Sequence, residues 1–111
     1  MEAFMTAVNI LFIISCVSIS YVFKMNYPKD INSLIGYRTK RSMASKEAWV
    51  FANGYFSKTL FRYAIMTVMI QIALFISLGP QAALIGILIT WTLALLVTMV
   101  QTEFQLKKMQ F

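Results

Sequence analysis

The stretch YAIMTVMIQIALFISLGPQAALIGILITWTLALLVTMVQT, residues 63–102, holds no charged side chain and has one break, at Gly79-Pro80. Proline cannot donate a backbone hydrogen bond and disfavours helix in the residue before it, so one helix stops there. The run after the break, 82–102, has 21 uncharged residues and would form a helix about 31 Å long, enough to cross the hydrocarbon core of a bilayer. The run before it, 63–78, is slightly short. Leu60 and Phe61 extend it to 60–78, with Lys58 and Arg62 able to snorkel toward headgroups. A connection this tight makes the two an antiparallel hairpin.

A further apolar run, 3–23, carries no charge. A cleavable signal peptide would have a basic start, a shorter apolar stretch and a small-residue cleavage site. Here the first charge is Glu2, and Tyr21-Val22-Phe23 leads directly into Lys24, so the run reads as a retained span. Composition agrees: of 111 residues 59% are hydrophobic and 13% charged, more apolar surface than a soluble domain of this size could hide. The expected fold is an all-α membrane protein, one domain over residues 1–111. It has three transmembrane helices, about 3–23, 60–78 and 82–102, and a structured, partly helical cytoplasmic loop, 24–59, between the first and second.

Charge sets the expected orientation. Eight of the ten Lys and Arg residues lie between Lys24 and Arg62, and the others are Lys107 and Lys108. Three spans put the long loop and the C-terminus on one side, and the positive-inside rule makes that side cytoplasmic, with the N-terminus outside the cell. The net charge of +6 then reflects topology and attraction to anionic lipid rather than direct nucleic-acid binding.

Several chemistries are disfavoured. The chain has no histidine and four acids, Glu2, Asp30, Glu47 and Glu103, so no metal-ligand cluster and no Ser-His-Asp triad is expected. Asp30 and Glu47 read as salt-bridge partners of nearby cations rather than as an acid/base pair. The lone Cys16 reads as a small buried hydrophobe. The expectation is a protein that is not an enzyme and uses no cofactor. No Asp, Glu, Lys, Arg or His lies within the runs 3–23, 63–78 and 82–102, which argues against a proton-driven transporter.

Within the membrane, Asn9, Gln71 and Thr90 fall at about the same depth, roughly 9 to 14 Å from the outer ends of their spans, and could form one interhelical polar layer. That layer could be structural glue or a contact for a toxin or substrate. The third span also carries Ala82, Gly86, Thr90, Ala94, Thr98 and Thr102 at four-residue intervals. Such a row lets another helix approach closely, either a span of the same chain or a second copy in a homodimer.

The polar block between the first and second spans is too long for a structureless connection. Pro28 suits a helix start and Gly36 a turn after its end, predicting a short helix over about 28–34. Ser42 or Ser45 can cap the next helix, which runs through Trp49 and Asn53 toward Phe56 and Leu60. Its aromatics give it an interfacial look, lying along the inner surface or rising into the second span as one helix. Arg38 is expected in a salt bridge to Asp30 or Glu47, on a lipid phosphate, or on a partner's surface.

The pattern Ile35-Gly36-Tyr37-Arg38-Thr39, then Ser42-Met43, then Trp49 with Ala52-Asn53 and Lys58, resembles the signature of the SdpI/YfhL family, with Pro28 and Asn32 matching upstream. The resemblance implies a multi-pass bacterial membrane protein giving immunity to a membrane-active antimicrobial peptide toxin. It also implies that Gly36, Tyr37, Arg38, Thr39, Ser42, Met43, Trp49 and Asn53 are the motif or interaction residues. The founding member of that family holds a transcriptional repressor at the membrane, so the alternative is a signalling subunit that docks a cytoplasmic partner of that kind.

Overall fold

The uncharged runs and their flanks form three helices, α1 (Glu2–Met25), α2 (Lys46–Leu78) and α3 (Pro80–Met109), in the computed structural model, which describes residues 1–109. All three are long and apolar enough to cross a membrane, and no strand occurs among the described residues. Large apolar side chains stand exposed along the helices, Ile14, Met69, Ile76, Ile89 and Leu96 among them, as lipid-facing surfaces require.

Gly79 alone separates α2 from α3. Its φ of +97° is a conformation that glycine adopts readily, and its N–H closes α2 by donating to Phe75 O at 3.0 Å. Pro80 opens α3 at the first helical position, where its missing N–H does no harm. The hairpin is thus tighter than the apolar runs alone indicate. α2 and α3 form the most extensively packed pair, and α1 lies against both.

The helices meet along small and hydroxyl-bearing residues. The buried positions include Cys16 and Ser20 on α1, Ser57, Ala64 and Thr67 on α2, and Ala83, Ala94, Thr98 and Thr102 on α3. Most of these hydroxyls donate to their own helix: Ser20 to Cys16 O at 2.7 Å, Thr67 to Ala64 O at 2.8 Å, Thr98 to Ala94 O at 2.6 Å and Thr102 to Thr98 O at 2.7 Å. Satisfied locally, they act as small spacers that let backbones approach. The four-residue row of the third span is only half used. Ala94, Thr98 and Thr102 are buried within the chain, but Ala82, Gly86 and Thr90 are only half-buried. A four-residue step overshoots a 3.6-residue turn, so the buried stripe crosses to Ile87 and Ala83 instead.

One expectation about the block fails and another holds. No helix forms over 28–34, and residues 26–45 are bends and one turn. The side chain of Asn32 provides the reason: its Oδ1 accepts from the N–H of Leu34 at 2.9 Å and of Ile35 at 2.7 Å, a local alternative to helical bonding. Of the two courses expected for the next helix, the second is found: it is the beginning of α2, which runs unbroken from Lys46 into the second span. Ser45 caps it, accepting from Ala48 N at 3.0 Å.

Candidate functional site

Residues 26–45 fold back on α2 and α3 through three anchors. Trp49 is the first. It is fully buried rather than interfacial, and its indole N–H donates to Pro28 O at 2.9 Å. Asn53, one helical turn on, is the second. Its Oδ1 accepts from Tyr37 N at 2.7 Å, and its amide donates to Trp49 O at 3.0 Å. Gly36 threads between these two side chains with φ +115°. A Cβ there would lie 2.7 Å from Asn53 Oδ1 and 3.1 Å from both Pro28 Cγ and Trp49 Cζ2. Gly36 is required by its dihedral and by lack of room, not by the end of a helix.

Glu103 on α3 is the third anchor. One carboxylate oxygen accepts from the Tyr37 hydroxyl at 2.7 Å and from the Thr39 hydroxyl at 2.9 Å. Ser42, fully buried, braces the same turn: its hydroxyl contacts Tyr37 O at 2.9 Å and Thr39 O at 3.0 Å, and accepts from Thr39 N at 2.7 Å. Met43 closes the turn through its N–H to Thr39 O at 3.0 Å. Tyr37 stacks on Phe56 with ring centroids 4.8 Å apart and joins a small apolar cluster with Ala48, Ala52 and Leu106. Burial, reinforced by the hydrogen bond and negative charge of Glu103, raises the Tyr37 hydroxyl above its ordinary range, with Thr39 pulling weakly the other way.

The signature residues therefore split by role. Gly36, Tyr37, Thr39, Ser42, Met43, Trp49 and Asn53 come together as one interlocked unit. Arg38 points away, exposed, and its Nε donates to Asn32 O at 2.8 Å. It pairs with neither Asp30 nor Glu47; the ion pair at Asp30 is made by Lys46, at 3.4 Å and well exposed. Glu103 was missed as a site residue. It is the sole acid in the C-terminal half and sits just past the uncharged run, next to Thr102, which is the signal that could have found it. Beside it, Tyr37, Thr39, Arg41, Met99, Phe104 and Lys107 border a cavity of about 420 Å³. Among the described residues no three His, Cys, Asp or Glu side chains gather as metal ligands would.

At the opposite end of the bundle, two of the three intramembrane polar residues meet. Gln71 Nε2 donates to Asn9 Oδ1 at 2.7 Å, and Asn9 Nδ2 donates to Met5 O at 2.8 Å and Pro80 O at 3.0 Å. Asn9 thereby touches all three helices. Thr90 does not join this layer, because its hydroxyl is taken by Gly86 O on its own helix at 2.9 Å. Gln71 Oε1 is buried without a hydrogen-bond partner. The Gln71 side chain helps wall a wholly apolar groove of about 220 Å³ between α1 and α2, with Ile10, Ile13, Ile72, Phe75 and Ile76, while its Oε1 stays buried behind that surface.

Comparison with known proteins supports the signature. A model of the SdpI/YfhL protein family matches residues 29–101. The chain is similar to the uncharacterized protein YfhL of Bacillus subtilis (strain 168), 33% identical over 88 residues, which covers 79% of this chain and 76% of that protein. No solved structure matches the chain.

Proposed function

This chain belongs to the SdpI/YfhL protein family and is a membrane protein of it, and from that premise we propose that it protects a bacterium against a membrane-active peptide toxin. The proposed activity is binding, not catalysis. Orientation follows from the basic residues: the N-terminus and the Gly79-Pro80 turn face outward, and the signature block and C-terminus face the cytoplasm and anionic lipid. A toxin arriving from outside would then meet the Asn9–Gln71 end first.

The observation that carries this reading is Gln71, which helps wall the apolar groove between α1 and α2 and keeps an unpartnered Oε1 buried behind it. An acceptor left without a partner in hydrocarbon is unfavourable, and a peptide N–H entering from the membrane would supply that partner once the Gln71 side chain turns toward the groove. Isoleucine and phenylalanine walls suit the apolar side chains of such a peptide. The signature block at the other end would serve as cytoplasmic anchor. The exposed Arg38, with Lys40 and Arg41 beside it, favours a second reading in which the block also docks a cytoplasmic partner such as a transcriptional repressor.

The test is expression in a sensitive strain followed by challenge with a secreted peptide encoded in a neighbouring reading frame. Wild type should protect, and Gln71→Leu should lose protection while inserting normally. Absence of protection by wild type sinks the immunity reading. Arg38→Ala separates the two roles: retained protection with lost repressor recruitment would assign Arg38 to docking.

A further inference from the structure

A second polar pocket opens between α2 and α3 where their uncharged stretches end on the basic side of the bundle. Tyr55, Thr59, Arg62, Tyr63, Met66 and Gln101 line its volume of about 270 Å³. The polar groups there are biased toward donation. Tyr63 donates its hydroxyl to Gln101 Oε1 at 3.2 Å, which occupies the amide's acceptor and leaves its NH₂ to donate. Thr59 is only 5% exposed, and its hydroxyl is buried with no hydrogen-bond partner. This sets it apart from the hydroxyls of Ser57, Thr67, Thr98 and Thr102, each of which bonds its own helix. Arg62 makes no ion pair among the described residues, and no carboxylate lines the pocket.

We propose that this pocket holds the phosphate of an anionic glycerophospholipid, with Arg62 as the charged ligand and Thr59 and Gln101 as neutral donors. Guanidinium presents paired N–H groups that match two phosphate oxygens, and a basic pocket between spans at the headgroup level suits such a lipid. The lipid source is preferred to a free anion because the membrane-facing side continues as an apolar path. Met66 lies one turn deeper than Arg62 on α2, Ile70 a further turn, and Val97 one turn deeper than Gln101 on α3; all three are exposed, as an acyl chain lying along the helices requires. The site is separate from the Asn9–Gln71 groove and needs neither the immunity reading nor its orientation.

The full chain, purified in detergent and supplied with phosphatidylglycerol, tests this by native mass spectrometry. Wild type should retain one phosphatidylglycerol through desolvation, and Arg62→Gln should weaken retention about tenfold, with Arg62→Lys recovering part of it. Thr59→Val, which removes an unpartnered hydroxyl and should not harm folding, should also reduce retention. Lys58→Gln removes a neighbouring charge outside the pocket and should change little. Equal losses from Lys58→Gln and Arg62→Gln would overturn the site in favour of diffuse attraction. Displacement of the lipid by inorganic phosphate at similar concentration would overturn the lipid in favour of a soluble anion. Normal helical content by circular dichroism in each variant keeps either result interpretable.

Discussion

At the residue scale, Tyr37 carries the most testable chemistry. Its neutral hydroxyl is held by Glu103, so ionising it would set a phenolate beside a carboxylate in a largely desolvated position. Its folded value is raised, so its contribution to stability is complete below the ordinary tyrosine value of 10.0 and is lost as pH climbs beyond it. Ultraviolet titration of phenolate absorbance should therefore show a late step at high pH, and Tyr37→Phe should abolish it. The same variant should lower stability by about 2 kcal/mol in thermal unfolding, the scale of a hydrogen bond to a charged group. Gly36→Ala combines a left-handed dihedral with a clash against Asn53, and should destabilise the block by about 1–3 kcal/mol. Faster proteolysis within 26–45, with the spans intact, would register it.

At the element scale, the Asn9–Gln71 bond joins α1 to α2 inside the bundle. Asn9→Leu strands the Gln71 amide and should weaken the bundle by about 1–2 kcal/mol in denaturing-detergent titrations. The double variant Asn9→Leu/Gln71→Leu should be less destabilised than the sum of the singles, because neither buried amide is then left alone. The hairpin and all three helices were legible from uncharged length and from Gly79-Pro80, features that depend on local chemistry alone. The same is true of the Asn9–Gln71 pair, whose depth could be counted along each helix. What could not be read was rotation: depth placed Thr90 level with them, but not the face on which it lies. The absent helix over 28–34 was hidden for a similar reason. Pro28 and Gly36 mark plausible ends, while the Asn32 side chain between them offers the backbone a competing set of bonds. Glu103 was overlooked because its partners are more than sixty residues away in sequence.

At the scale of the whole molecule, the proposed orientation predicts an asymmetry in labelling. In a Cys16→Ser background, a membrane-impermeant maleimide applied to intact cells should modify Gln81→Cys at the turn and spare Ser33→Cys in the block. The opposite pattern would invert the orientation. Beyond topology, the unbroken course of α2 has a mechanical meaning. Its 33 residues make a rod about 50 Å long, with Gln71 toward one end and Trp49 and Asn53 at the other. No hinge separates the arm that grips the signature block from the arm that faces the groove. A tilt of about 10° about the midpoint would sweep the Lys46 end through about 4 Å, more than a hydrogen bond tolerates. Strain introduced at the groove would thus be felt as leverage on the Tyr37–Glu103 clasp, since Asn53 on the rod holds Tyr37 and the clasp ties Tyr37 to α3.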